Sequence, residues 1–480
     1  MTSQPVRAAG ATPTGQPRRH PQPRVLPDPA LQHRSRMRRV DGLQIASWIS
    51  VAIVIALFLA DDVMGGFSSV GESMTSLGIL TGLVGTDLLL IMLLLAARLP
   101  LVDRTFGHDR AVAFHRRLGK PVLYLLLAHT VLLILGYGAT EGINPVAETA
   151  SLWATVADMP LAFIGLGLLI AVVVSSVVSV QRKFPYEVWF AIHLLAYIAV
   201  LASLPHQFSA GAIFADGTWQ RYYWLGLYLL VACSILVFRI VLPLIRTNRH
   251  RLVVSEVRAA GPGAITVRMT GGQLDGLAVQ VGQFFLWRFL ARGLWWHAHP
   301  FSLSAAPTPS GLEITVRGLG AGTDRLLSVH PGTRVAIEGP YGIFSQASRT
   351  SDRLVLIGAG IGIAPIRSLL EEADFEPGNA VVILRAGSEA ELYLSREMHQ
   401  LCRRRGAYLY LETGPRARDR EHWLPESSAR RGYGLADYAP SIAGADVFIC
   451  GPQAWSDLVI ADARAAGVRA EAIHYERFSW

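Results

Sequence analysis

Four histidines lie inside long apolar stretches of this 480-residue chain, His115 and His129 in one, His193 and His206 in another. The remaining apolar stretches hold none. An ionisable side chain at bilayer depth is costly and marks function by default. A neutral imidazole is also a good ligand for haem iron. His115 and His129 are 14 residues apart, about 21 Å along a helix at about 1.5 Å per residue. A rotation of about 100° per residue leaves both on one side. His193 and His206 are 13 apart, and an ideal helix puts them on different faces. Pro205 precedes His206, so a kink or a π-bulge there is required to turn His206 inward. The two stretches run in the same direction. His115 then pairs with His193 near one surface, and His129 with His206 near the other. Two bis-histidine b-type haems, stacked across a membrane, are the expectation.

Beyond residue 250 the chemistry changes. Gly282-Gln283-Phe284 and His299-Pro300-Phe301-Ser302-Leu303-Ser304 offer a polar strand end. Its amides and hydroxyl suit the edge of a flavin. Val316-Arg317-Gly318-Leu319-Gly320-Ala321-Gly322-Thr323 follows, with glycines that let backbone approach a pyrophosphate and form an anion-binding nest. Glu338-Gly339-Pro340-Tyr341-Gly342 comes next. Gly358-Ala359-Gly360-Ile361-Gly362-Ile363-Ala364-Pro365 follows an apolar strand and opens a helix. That arrangement places a dinucleotide phosphate at a helix N-terminus, although the glycine spacing differs from G-x-G-x-x-G. The next strand ends in Arg385, where an acid usually reads ribose hydroxyls and an arginine suits a 2′-phosphate. This favours NADPH, with NADH possible because Glu389 and Glu391 lie close by. Cys450-Gly451-Pro452 ends a late strand, its cysteine either beside a coenzyme or packed in a core.

These residues need elements to position them. Hydrophobic residues make up 51% of the chain and charged residues 17%, with mean hydropathy +0.35. That excludes a disordered chain and argues against a wholly soluble one. Six apolar stretches, at about 44–61, 77–98, 111–137, 159–180, 186–205 and 222–245, are near the length of about 20 residues that crosses hydrocarbon. Arg98, Arg104, Arg110, Arg116, Arg117 and Lys120 flank the second loop, Arg182 and Lys183 the fourth, and Arg246, Arg249 and Arg251 follow the sixth stretch. Loops 62–76 and 138–158 hold no Lys or Arg, and 206–221 holds only Arg221. The positive-inside rule then puts both termini in the cytoplasm. Basic residues exceed acidic ones by 44 − 36 = 8. Their place beside apolar runs argues for membrane topology rather than nucleic acid. Three cysteines exclude a disulfide framework and an iron–sulfur cluster.

Four segments follow. Residues 1–40 form a disordered basic tail and 41–246 the membrane helices. Residues 247–347 form an antiparallel β-barrel with strands near Leu252–Val257, Ala264–Met269, Phe284–Arg288, Leu312–Arg317 and Arg334–Glu338. Residues 348–480 form an α/β nucleotide domain with strands near Leu354–Gly358, Val381–Arg385 and Asp446–Cys450.

Phe114-His115-Arg116-Arg117-Leu118-Gly119, then His129, Tyr186-Glu187, Trp189, Ile192-His193 and His206 resemble the ferric reductase transmembrane family. That family includes ferric-chelate reductases and NADPH oxidases, and the resemblance covers about residues 41–480. It implies two b-type haems ligated by the four histidines. The later strings resemble the FAD and NADP domains of the ferredoxin–NADP reductase superfamily. This implies that His299, Pro300, Phe301 and Ser302 cradle FAD, with Ser302 at its reactive edge. Gly320, Gly322 and Thr323 approach its pyrophosphate. Gly358, Gly360, Gly362 and Pro365 form the nucleotide loop, and Cys450, Gly451 and Pro452 lie beside the nicotinamide. A C-terminal aromatic covers the flavin in that superfamily; Phe478 or Trp480 either fills this role or packs on the domain.

The implied activity is transfer of electrons from cytoplasmic NAD(P)H through FAD and two haems to an acceptor outside a plasma membrane. A ferric or other metal chelate is the first expectation. A superoxide-forming NADPH oxidase is the alternative, although the animal oxidases carry an arginine on the second helix that Leu77–Gly85 lacks here. A haem-binding subunit with an inert reductase half is a further alternative.

Overall fold

In the computed structural model the described residues are 29–60, 67–180, 186–210, 217–417 and 421–476. They divide into two compact units. One comprises Arg39–Val102 and Arg110–Arg239; the other comprises Asp103–Asp109 and Ile240 onward, together with the chain up to Arg38.

Among the described residues, six helices are long and apolar enough to cross a membrane. These are α1 (Pro29–Leu59), α2 (Val70–Ala96), α4 (His108–Glu141), α6 (Met159–Val180), α7 (Tyr186–Ala210) and α8 (Trp219–Ile235). A π-helical turn, Leu236–Val241, continues α8 into α9 (Leu242–His250). Two shorter helices were not foreseen: α3 (Pro100–Phe106), and α5 (Pro145–Thr155) between α4 and α6. Asn144 starts α5, its side chain accepting from the amides of Val146 and Ala147. The helix α1 begins at Pro29, so residues 29–40 are helical rather than part of a disordered tail.

Glycines set how closely the membrane helices approach. A Cβ on Gly78 would meet Leu133 at 3.0 Å, and one on Gly85 would meet Leu126 at 3.1 Å. Gly71 faces Thr140 in the same way, and Gly165 of α6 lies against the Ala199 carbonyl of α7.

The second unit holds two sheets. The first has six strands: β1 (Leu252–Gly261), β2 (Ala264–Thr270), β3 (Phe284–Phe289), β4 (His299–Ser302), β5 (Leu312–Arg317) and β6 (Arg334–Tyr341). Their order is β4-β3-β6-β1-β2-β5, all antiparallel. The strands do not close into a full barrel: the end strands β4 and β5 are not paired with each other in the sheet. The end strand β4 has only four residues, and it meets β5 through one isolated bridge, Leu303 with Ile314. Trp287, Phe285 and Phe289 of β3 fill its core with Ile314 and Leu303. The indole of Trp287 also donates to the Phe301 carbonyl at 2.8 Å, tying β4 to that core.

The second sheet is parallel: β7 (Leu354–Ala359), β8 (Ala380–Ala386), β9 (Tyr408–Thr413), β10 (Asp446–Cys450) and β11 (Ile473–Glu476), in the order β11-β10-β7-β8-β9. β9 and β11 add to the three strands expected. Apolar clusters cover both faces, as a buried parallel sheet requires. Strand order reverses between the neighbours β7 and β10.

Trp287→Ala is expected to lower the stability of the second unit by about 3–5 kcal/mol. Thermal unfolding followed by tryptophan fluorescence measures the loss.

Candidate functional site

Within the membrane bundle, α2 holds the two histidines of α4 by their Nδ1 atoms. His129 Nδ1 lies 2.8 Å from the Gly78 carbonyl and His115 Nδ1 lies 3.0 Å from the Met92 carbonyl. A carbonyl only accepts, so each Nδ1 carries the proton and each Nε2 keeps a lone pair. That is how a second hydrogen bond prepares a ligating imidazole. Gly82 makes room for this: its Cβ would stand 2.3 Å from His129 Nδ1.

The rings of His115 and His193 are 5.9 Å apart between centroids. Two imidazoles sharing one metal at about 2 Å per bond have centroids roughly 6 Å apart. Trp189 stacks on His193 at 5.2 Å and donates to Ser176 Oγ, which lies 3.5 Å from His193 Nδ1. His129 and His206 line one cavity of about 280 Å³, with Leu83, Leu169 and Trp224 among its walls. A water needs about 10–15 Å³, so this space is of a size for a large, mostly apolar group. The donor sets of both pairs therefore fit haem.

The four histidines thus come together as the two pairs expected from spacing. The route differs in one respect. The helix α7 runs unbroken through Pro205 to Ala210, with no π turn among its described residues, whereas an end or a bulge near Pro205 was expected. The π turn of the bundle lies instead at Leu236–Val241.

In the second unit the glycine string and Cys450-Gly451-Pro452 meet at the switch between β7 and β10. Crevices at such reversals, outside the carboxyl ends of the strands, take ligands in α/β sheets. Cys450 pairs with Gly358 in register. Gly360 has φ +56°, and a Cβ on Gly362 would stand 2.3 Å from the Cys450 carbonyl. The turn opens α11 (Ile363–Glu372), which follows Gly362 and contains the buried Pro365, while α10 (Ala321–Leu326) follows Gly320 of the earlier glycine string. The amides at the start of α11 are therefore free of side-chain caps.

Ser302 ends β4, buried, with its hydroxyl donating to Glu476 Oε2 at 3.3 Å. Glu476 is the residue that sequence reasoning missed. It ends β11 beside Cys450, and its Oε1 has no partner among the described residues. Burial first, then the charge of Asp109, push its pKa well up, against the Ser302 hydrogen bond. Its only signal in sequence was an acid at the end of the last strand. Cys450 is fully buried, and burial followed by the Glu476 charge pushes its thiol well up. It is a packed, protonated thiol.

His299 is buried, stacked on Phe301 at 5.9 Å, and its Nε2 has no partner among the described residues. Burial, then the neighbouring His297, bring its pKa down to about 4, so the ring is neutral. Gly322 lies within 3.6 Å of it, measured from a built Cβ. Thr323 is engaged locally, its hydroxyl accepting from Leu319 N at 2.8 Å and donating to the Gly320 carbonyl. Pro300 is half-buried in β4. Segment 103–109, unremarked in sequence except for its charge, also belongs here. His108 stacks on Tyr341 at 5.2 Å and meets Asp103 at 3.1 Å. Phe478 and Trp480 lie outside the described residues.

Arg385 requires a correction. It is 6% exposed, and its guanidinium donates to the carbonyls of Ala386, Glu412 and Gly414. Three of the guanidinium's five N–H donors go to backbone carbonyls at the β8–β9 edge, which removes most of the fork a 2′-phosphate would use. The sequence argument for NADPH over NADH falls with it.

Residues 81–204 match the family of the ferric reductase like transmembrane component, and residues 356–459 match the oxidoreductase NAD-binding domain. The chain joins these two components. The first contains His115, His129 and His193 and ends two residues before His206; the second contains the switch-point glycines and Cys450. Ferric reduction oxidase 5 of Arabidopsis thaliana is 26% identical over 285 residues, covering 58% of this chain and 37% of its own length. Ferric/cupric reductase transmembrane component 1 of Candida albicans is 25% identical over 309 residues, covering 60% of this chain and 36% of its own. Respiratory burst oxidase homolog protein E of A. thaliana is 26% identical over 211 residues, covering 38% of this chain and 21% of its own. The chain thus spans well under half the length of these relatives.

Arg385→Ala is expected to cost about 1.5–3 kcal/mol of stability by stripping carbonyls of a charged donor. It should lower kcat/KM for NADPH and NADH by the same factor. A loss confined to NADPH would restore the phosphate role.

Proposed function

We propose that this protein carries electrons across a membrane, from NAD(P)H at its nucleotide domain to an acceptor on the opposite side. The observation that carries this reading is the two histidine pairs at two levels of one membrane bundle, on the same chain as an NAD-binding domain. FAD would convert hydride transfer into single electrons, and two b-type haems would carry those electrons singly.

The residues have distinct tasks. The Nδ1–carbonyl bonds of His115 and His129 fix which nitrogen faces the bundle centre. The apolar walls around His129 and His206 exclude water. At the other end, the amides opening α11 would receive the coenzyme pyrophosphate. Ser302 and Glu476 form a short hydrogen-bonded path that can hold or pass a proton at the flavin edge. His299, Phe301 and Gly322 form the cradle beside it. With Arg385 engaged, NADPH and NADH both fit. The positive-inside pattern of the basic loops supports a cytoplasmic nucleotide domain and termini, with the acceptor outside a plasma membrane.

A metal chelate is the first acceptor on this reading. The likeness to a respiratory burst oxidase homolog supports a second reading, superoxide formation. Metal-complex reduction under anaerobic conditions and superoxide formed per NAD(P)H consumed separate the two.

His115→Ala and His206→Ala are each expected to remove one of two haems, read as a halved pyridine-haemochrome content. Unchanged content in either variant overturns the two-haem reading. Ser302→Ala and Glu476→Gln should each slow flavin reduction by NAD(P)H by about 10²–10⁴-fold, the range for a lost proton-handling group. Stopped-flow flavin absorbance measures this while haem content stays unchanged.

A further inference from the structure

The middle of α2 buries an acid that the electron path does not use. Asp87 is 1% exposed. It lies five residues beyond Gly82, which packs on His129, and five before Met92, whose carbonyl holds His115. At about 1.5 Å per residue each step is about 7.5 Å, so Asp87 stands between the levels of the two histidine pairs. An ionisable side chain at that depth is a functional candidate by default. A rotation of about 100° per residue turns it away from the ring-binding side of α2, onto the stripe of Leu83 and Leu90. That stripe shares one apolar cluster with Val54 and Phe58 of α1 and Trp224 of α8. Leu83, Trp224 and the adjacent Thr86 also wall the cavity of His129 and His206. Asp87 thus sits behind residues of the cavity wall.

The two carboxyl oxygens differ. Ser50 of α1 donates to Oδ1 at 2.7 Å. Oδ2 is buried with no hydrogen-bond partner among the described residues. Tyr223 of α8 hydrogen-bonds Ser50 and feels the charge of Asp87. Tyr197 of α7 and Tyr228 of α8 pack on the same cluster, while the histidines of α4 bond the backbone of α2 at Gly78 and Met92. Among the described residues no Lys or Arg acts on Asp87. A buried carboxylate without a cation is costly. A ferric porphyrin core carries one net positive charge and a ferrous core none, so an arriving electron removes the relief that the haem sites give it.

We propose that Asp87 is a redox-linked proton site: Oδ2 binds a proton as an electron enters the bundle and releases it as the electron leaves. The inference rests on the transmembrane electron-transfer reading above and adds the group that balances charge inside the membrane. Each electron from NAD(P)H is paired with one proton from solvent. One O–H bond forms, and it breaks when the electron passes to the acceptor. Ser50, by holding Oδ1, leaves Oδ2 as the place for the proton.

The test is potentiometric titration of the haems in the full-length protein in detergent, with mediators and dithionite, across a range of pH. The midpoint potential should fall as pH rises, by at most about 59 mV per tenfold change in proton activity for a one-electron couple. In Asp87→Asn that slope should be lost. The variant's potential should lie above wild type at high pH, where the wild-type carboxylate keeps its charge, and meet it at low pH. Ser50→Ala retains the acid and should move the pH range of the slope with haem content unchanged. Redox-difference infrared spectra should show a protonated-carboxyl band that grows on reduction in wild type and is missing in Asp87→Asn. A wild-type potential independent of pH overturns the proposal, as does a slope that survives Asp87→Asn. If Asp87→Asn does not fold, Ser50→Ala and the wild-type infrared spectrum decide: an unmoved pH range or no carboxyl band overturns it. Haem reduced by dithionite but not by NAD(P)H overturns the electron-transfer reading alone, and the titration still decides Asp87. A protein that binds no haem overturns both.

Discussion

The membrane half depends on two hydrogen bonds from imidazole Nδ1 to helix carbonyls, His129 to Gly78 and His115 to Met92. A hydrogen bond at one imidazole nitrogen fixes the tautomer and turns the other nitrogen toward a metal. Here the fixing partner is the backbone of α2, which leaves no side chain free to rotate away. That choice sets the sequence of α2. Its backbone must come within hydrogen-bond distance of a ring on α4, so Gly82 can bear no Cβ, and Gly78 and Gly85 keep the crossing close. Tautomer and helix packing are thus one constraint expressed at several positions.

The reductase half obeys a different rule. Its ligand site arises where strand order turns back between β7 and β10. Everything placed there is backbone or nearly so: three glycines, an uncapped helix start and a buried thiol. Selectivity has to come from neighbouring groups. Ser302 and Glu476 reach the site from different strands, β4 of one sheet and β11 of the other. This hydrogen-bonded pair therefore exists only when both sheets are folded and together.

Sequence reasoning reached the membrane helices, the histidine pairing and the nucleotide turn, because each leaves a periodic or contiguous trace. Long apolar runs need no tertiary information, and neither does a glycine string after an apolar strand. What it missed has no local trace. Glu476 acquires a role only through Ser302, 174 residues away. Arg385 looked free because only one of its acceptors, the Ala386 carbonyl, lies in its own strand; the carbonyls of Glu412 and Gly414 lie in or just after β9, which was not foreseen. The barrel expectation followed from strand count and alternation, neither of which shows whether the end strands β4 and β5 pair. The expected break at Pro205 came from ideal helix rotation, and α7 continues regardless.

Segment Asp103–Asp109 belongs to the same compact unit as the two sheets, while the residues on either side of it belong to the bundle. The reductase half is therefore not a contiguous stretch of chain. A cut near residue 247, the natural place to separate a soluble fragment, would leave behind the ring of His108 that covers Tyr341 and Phe284. The fragment would present those two aromatic faces to water. Recombination between unrelated membrane and reductase modules would have to carry this short inner loop along. The loop thus ties the history of the two halves together more tightly than a simple end-to-end fusion would.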